Sequence, residues 1–150
     1  YVTNSAPQIQ DRFNGGIWAK LENAIQSLVE NKNEEVYIVT GAAFEKEGER
    51  GSVSYVSPKD DSSQKCGIPN YYYKLVLRVK YSGSTVVSAC TIGFWFEHKE
   101  YSDQNAWTNY SVSVDQIEQW TGFDFFVNLP DSIENAAESA STSWSQFQSF

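Results

Sequence analysis

The sequence predicts an α+β domain, a mostly antiparallel sheet with one long helix near its start and short helices toward its C-terminal end. Three observations carry that class. Phe13, Ile17, Trp18, Leu21, Ile25, Leu28 and Val29 fall in one broad stripe when projected at about 100° per residue. Two alternating apolar runs, Tyr73–Tyr81 and Val86–Phe96, flank a Ser82-Gly83-Ser84 turn and read as a hairpin. Beyond them, helix-start signals replace strand signals without any βα alternation.

Taken in order, Tyr1-Val2-Thr3 reads as the end of a strand, followed by a polar connection through Pro7 and Asp11. The amphipathic helix runs from about Asn14 to Glu30 and stops in Asn31-Lys32-Asn33-Glu34. Glu35-Val36-Tyr37-Ile38-Val39-Thr40-Gly41 is nearly continuous in apolar and β-branched residues, which predicts a central strand covered on both faces. Residues 45–67 are polar and punctuated by Gly48, Gly51 and Pro58, a long loop. In the first hairpin strand Lys74, Arg78 and Lys80 share one face with Val76, so that strand is expected to be half exposed. Ser113-Val114-Asp115-Gln116 is a capping-box pattern opening a short helix that Gly122 closes, and Asp131-Ser132-Ile133-Glu134 is a second such box after Pro130. The serine-rich tail, residues 139–150, is expected to fray unless Trp144, Phe147 and Phe150 dock it.

The 150 residues suffice for one domain with a sizeable core, and 1–150 is read as that single domain. Eleven basic against 19 acidic residues give a formal charge of −8, which opposes a broad electrostatic footprint on nucleic acid. It leaves room for a nucleic-acid enzyme that works through one cation and a few arginines. No apolar run approaches the ~20 residues of a membrane span, so no membrane partner is expected. The chain has no Met and opens inside a strand, from which an N-terminal part is expected to be missing. Cys66 and Cys90 are an even pair that suits export, and a disulfide between them stands at even odds.

Two polar residues interrupt the helical stripe. Asn14 projects near its centre and Glu22 at its edge, and an amide and a carboxylate on a core-facing surface need partners. A hydrated metal ion is one solution and a buried hydrogen-bond network the other.

In combination the segments resemble the DNA/RNA non-specific endonucleases of the ββα-metal superfamily. The likeness is carried by Asn4 with Ala6-Pro7-Gln8, then Phe13-Asn14-Gly15-Gly16-Ile17-Trp18-Ala19-Lys20-Leu21-Glu22, then Val36-Tyr37-Ile38-Val39-Thr40-Gly41. It continues through Ile68-Pro69, Tyr72-Tyr73-Lys74, Ser113-Val114-Asp115-Gln116-Ile117-Glu118, Thr121-Gly122-Phe123-Asp124-Phe125-Phe126 and Leu129-Pro130-Asp131. The resemblance implies a secreted or compartmentalised (periplasmic or extracellular) phosphodiesterase that cuts DNA and RNA with one divalent ion, Mg2+ or Mn2+. In the family pattern the position of Asn14 binds the metal directly and that of Glu22 is catalytic, supporting the hydrated ion. Eight helical residues at ~1.5 Å rise separate two backbones by ~12 Å, so Glu22 acts through water rather than as a second direct ligand.

The family's general base is a histidine in an Asp-Arg-Gly-His motif, and these residues contain none. The sole histidine, His98, follows Glu97 at a strand end and reads as a solvated surface residue. Gln26 stands where some relatives carry an arginine. The expectation is therefore a nuclease piece that is inactive alone and is completed by the missing N-terminal segment of the same polypeptide; a homodimer is left open. A competing reading is an exported non-enzymatic module that binds glycan or protein through Tyr71-Tyr72-Tyr73 and Trp95, and a third is a degenerate nuclease homologue. Asp60-Asp61 reads as a solvated loop rather than a calcium site.

Overall fold

The computed structural model describes residues 6–32, 35–47 and 51–150. The strand expected at Tyr1-Val2-Thr3, and Asn4 of the family pattern, lie outside them. The helical elements are α1 (Ala19–Lys32), α2 (Val114–Thr121), α3 (Asp131–Glu138) and α4 (Trp144–Ser149). The strands are β1 (Tyr37–Ala43), β2 (Ser54–Val56), β3 (Cys66–Ile68), β4 (Tyr71–Ser82), β5 (Thr85–Glu97) and β6 (Ser111–Val112). β1, β4, β5 and β6 form an antiparallel sheet in the order β1-β4-β5-β6, and β2 pairs with β3 in a separate ribbon inside the expected loop.

The long hairpin is present, with a register shift between Lys80 and Tyr81 that sets Cys90 opposite Arg78. A simple register about Ser82-Gly83 puts Cys90 near Leu75 instead; the turn is centred on Gly83-Ser84, with Ser82 opposite Thr85, which moves the partner by two residues, and the shift moves it by one more. Both thiols are free, Cys66 exposed and Cys90 partly buried, so the even-odds disulfide is absent.

Two strands exchange the places expected of them. Among the described residues β1 lies at the edge of the sheet, with Tyr37 44% and Ile38 48% exposed. Its apolar run says nothing of how many neighbours it has, and among the described residues only β4 pairs with it. β4 is central and buried on both faces from Tyr72 to Arg78. Its charged side chains are tolerated because each finds partners: Lys74 Nζ donates to Thr40 Oγ1 at 2.6 Å, and Arg78 Nη1 donates to the Phe147 carbonyl.

Helices cover both faces. On one, Phe13, Ile17, Trp18, Leu21, Ile25 and Leu28 pack on Tyr72, Val76, Ile92, Phe94 and Phe96. On the other, Val114 and Ile117 of α2 pack on Tyr73, Leu75 and Trp95, and Thr91 Oγ1 of β5 donates to the Ala137 carbonyl of α3 at 2.6 Å.

The helix boundaries follow local chemistry. Ser113 Oγ accepts the Gln116 N–H to open α2, and Gly122 closes it at φ 74°, a left-handed conformation that costs glycine little. α3 has no side-chain cap: Pro130 is its N-cap and Asp131 is already its first helical residue, so the expected second capping box does not form. The tail expected to fray instead forms α4, opened by a reciprocal Ser143–Gln146 capping box, with Phe147 fully buried. Cations anchor its rings, with Arg78 5.8 Å from the Phe147 centroid and Lys80 4.2 Å from that of Phe150.

Candidate metal centre

The chain enters α1 through a broken turn. Residues Gln10–Trp18 coil widely, but Asp11, Arg12 and Gly16 leave helical geometry, and Arg12 sits at φ 60°. A left-handed non-glycine residue costs on the order of 1 kcal/mol, so surrounding contacts must hold it there. Those contacts are visible on its N-terminal side. Tyr72 Oη donates to the Pro7 carbonyl at 2.7 Å, and the Ile9 N–H donates to His98 Nε2 at 2.8 Å. His98 Nδ1 lies 2.8 Å from the Pro69 carbonyl and donates to it. The Phe13 ring is fully buried with its centroid 5.0 Å from that of His98.

His98 is therefore no solvated surface residue. Both ring nitrogens are committed, one accepting and one donating, and the imidazole ties residues 7–9 to the segment before β4. A strand-end position beside Glu97 and Lys99 gave no sign of this, because its partners are backbone atoms 89 and 29 residues away.

Asn14 follows this clamp. The helical projection that put it at the centre of the buried stripe fails, because Gly16 breaks the helix between Asn14 and α1. A Cβ on Gly16 would lie 3.0 Å from the end of the Gln104 side chain, which would have to yield by a few tenths of an ångström. The Asn14 amide is partly exposed rather than sealed in hydrocarbon. Its Nδ2 donates to Gln10 Oε1 at 3.2 Å, which turns the amide and leaves Oδ1 without a protein donor among the described residues. A neutral oxygen so placed fits a hard cation that keeps most of its own water.

Glu22 lies on α1, its side chain 50% exposed, with Oε1 3.5 Å from Lys74 Nζ. Lys74 is 5% exposed and stands 4.8 Å over the Trp18 ring. Burial pulls its ammonium pKa down, and Glu22 pushes it back up. Lys74 belongs with the predicted residues and was missed. Its position on a charged strand face was legible, but the strand's burial was not. The pair borders a groove of about 420 Å³ between α1 and the β1 edge, lined also by Ile25, Gln26, Val29 and Ile38. Gln26 Nε2 donates to Glu30 Oε1 at 2.8 Å, so no cation stands at that place.

The residues offered as an aromatic binding surface are mostly core. Tyr72, Tyr73 and Trp95 are buried, with Trp95 stacked 5.7 Å from Tyr73 and 5.0 Å from Trp120. Asp61 Oδ1 accepts the Ser63 N–H and hydroxyl in a local turn, as a solvated loop does.

Known proteins settle the lineage. The family model for DNA/RNA non-specific endonucleases matches residues 1–132. The chain belongs to that family. A nuclease of Nostoc sp. is 30% identical over 146 residues, covering 92% of this chain and 46% of the relative. A mitochondrial nuclease of Schizosaccharomyces pombe is 28% identical over 131 residues, 87% of this chain and 40% of its own. A nuclease of Serratia marcescens is 28% identical over 141 residues, covering 93% and 47%. The chain thus spans less than half the length of these relatives. Among solved structures, one described as the EndoG/EndoGI complex superposes with a TM-score of 0.65 at 17% identity, over 93% of this chain and 56% of that one. That likeness shows the α+β fold. Among the described residues no helix is long and apolar enough to cross a membrane.

Proposed function

We propose that this chain is the metal-anchoring part of a sugar-non-specific endonuclease, with DNA and RNA as substrates and Mg2+ or Mn2+ as its ion. The observation that carries the reading is Asn14: within the matched family segment, its amide is oriented by Gln10 and its carbonyl oxygen is left open. Asn14 would hold the ion, which when bound supplies positive charge to the phosphate and an acidified water for the leaving group. A single neutral ligand leaves that charge undiminished.

Glu22 is the residue that orders the ion's water. Lys74 fixes its carboxylate while taking up part of its charge, so Glu22 serves better as a hydrogen-bond acceptor for water than as a direct ligand. The clamp of Pro7, Ile9, His98 and Pro69 positions Asn14, and His98, with both nitrogens in use, is not the base. The base comes from outside these residues, from an Asp-Arg-Gly-His segment. A mitochondrial relative fits an enzyme kept in a compartment, and export is the other location in keeping with the family pattern.

The test is plasmid nicking with magnesium. The chain mixed with a segment carrying Asp-Arg-Gly-His is expected to nick, and the chain alone is not. Absence of nicking by a complex shown to form would overturn the reading.

A further inference from the structure

On the sheet face opposite α1, the short helices bring together acids to which the family resemblance assigns no role. Asp115 and Glu118 stand one turn apart on α2, and Glu138 comes from the last turn of α3. One carboxylate oxygen from each lies within 4.8 Å of the other two. Exposure falls along the set: Asp115 is open to solvent, Glu118 half-buried and Glu138 only 5% exposed.

Clustered acids alone would prove little. The decisive observation is that Glu138 Oε1 is fully buried and has no hydrogen-bond partner, although it stands within this cluster. Glu134 Oε1, on the same helix, is buried and unpartnered as well. Among the described residues no lysine or arginine pairs with any of these acids. A buried carboxylate with nothing to balance it is among the costliest arrangements a fold can hold.

We propose that Asp115, Glu118 and Glu138 form a calcium site that clasps α2 to α3, separate from the magnesium centre at Asn14. Glu118 already spends Oε1 on the Phe125 N–H at 2.7 Å, so it offers its other oxygen. The donor set points to the ion. Three carboxylate oxygens within 4.8 Å of one another fit calcium, whose oxygens stand up to about 5 Å apart across the ion in a flexible geometry, whereas magnesium holds opposite oxygens at about 4 Å and must be nearly octahedral. Solvent at Asp115 supplies the remaining ligands, since calcium takes six to eight oxygens. Ligands on two helices make the ion a structural clasp rather than a catalytic group.

Calorimetric titration of the full chain, stripped with EDTA, with calcium chloride alone is expected to show one bound ion. A hundredfold excess over Kd should raise Tm by roughly 5 °C or more. Glu138→Gln should abolish both effects, and Asn14→Ala should preserve them. Asp115→Asn, at an exposed position, should weaken calcium binding at least tenfold, and it decides the matter should Glu138→Gln fail to fold. The proposal is overturned if calcium neither binds nor shifts Tm, if its effect survives these substitutions, or if magnesium binds as tightly. None of these readings depends on nicking, so this proposal and the nuclease reading fail separately.

Discussion

The sheet buries ionisable side chains on both faces, and they are handled in opposite ways. On the α1 face Lys74 and Arg78 are both buried: Lys74 meets a hydroxyl at 2.6 Å and a carboxylate at 3.5 Å, and Arg78 donates to the Phe147 carbonyl. On the α2–α3 face Glu138 meets only acids, and one of its oxygens has no partner. The first arrangement is complete within the protein. The second is a half-reaction, since a proton or a cation must arrive from outside to balance it. The contrast also separates two kinds of proposed metal ligand. Asn14 is neutral and costs little without an ion, whereas the acids of α2 and α3 cost the fold more until a proton or a cation binds.

The largest effect that would break this contrast is on chemistry. Asn14→Ala, assayed in the complex with an Asp-Arg-Gly-His segment, should lower magnesium-dependent nicking by on the order of 10²-fold or more. Its thermal midpoint should stay near that of the wild-type chain, because a partly exposed amide with one weak hydrogen bond is lost. Glu138→Gln should do the reverse, leaving nicking unchanged and altering stability. A large loss of stability in Asn14→Ala would show that the amide is structural.

Next in size is a pH effect confined to the acidic face. Burial pushes the Glu138 carboxyl up to about 8 from an ordinary 4.5, with Glu118, Glu134, Asp115 and Asp124 adding to it. The folded chain therefore holds this proton more tightly than the unfolded one. The stability it confers is complete below about pH 4.5 and fades as pH rises through 8. In EDTA, the unfolding free energy from urea titration should be lower at about pH 9 than at about pH 6 by on the order of a few kcal/mol. Glu138→Gln should flatten that difference, and a wild-type profile as flat as the variant's would dismiss the buried charge.

A third pair of variants probes the balanced face. Lys74→Met keeps the buried stem and removes the charge, so its urea midpoint should hold or rise slightly. Glu22→Gln removes the partner and leaves Lys74 buried, at a cost of about 1–2 kcal/mol, moderated because Glu22 is half exposed. Equal costs for the two would mean that the ion pair is not what supports Lys74.

How much of this was legible in sequence depends on whether the governing partner is local. Within α1, Leu21, Ile25 and Leu28 are buried as their periodicity requires, and Ser113 and Gly122 bound α2 through contacts within four residues. β1 and β4 were assigned each other's environment, because apolar continuity reports side-chain chemistry and not strand order. The family pattern picks out Asn14 and Glu22 but not the break at Gly16, a backbone conformation that the helical period of its neighbours does not report. The α2–α3 acids were invisible for another reason. Glu118 and Glu138 are brought together by a fold that sequence spacing does not encode.

The smallest expected effect tests whether α3 is held against the sheet by more than packing. Thr91 Oγ1 is buried and donates to the Ala137 carbonyl, which precedes Glu138 by one residue. Thr91→Val keeps shape and volume but leaves that carbonyl without its donor, at a cost of about 1 kcal/mol. Loosening the last turn of α3 should also misplace Glu138, so calcium affinity should fall together with the urea midpoint while magnesium-dependent nicking by the complex stays constant. A variant that loses stability but binds calcium as before would show that α3 is positioned by its apolar face alone.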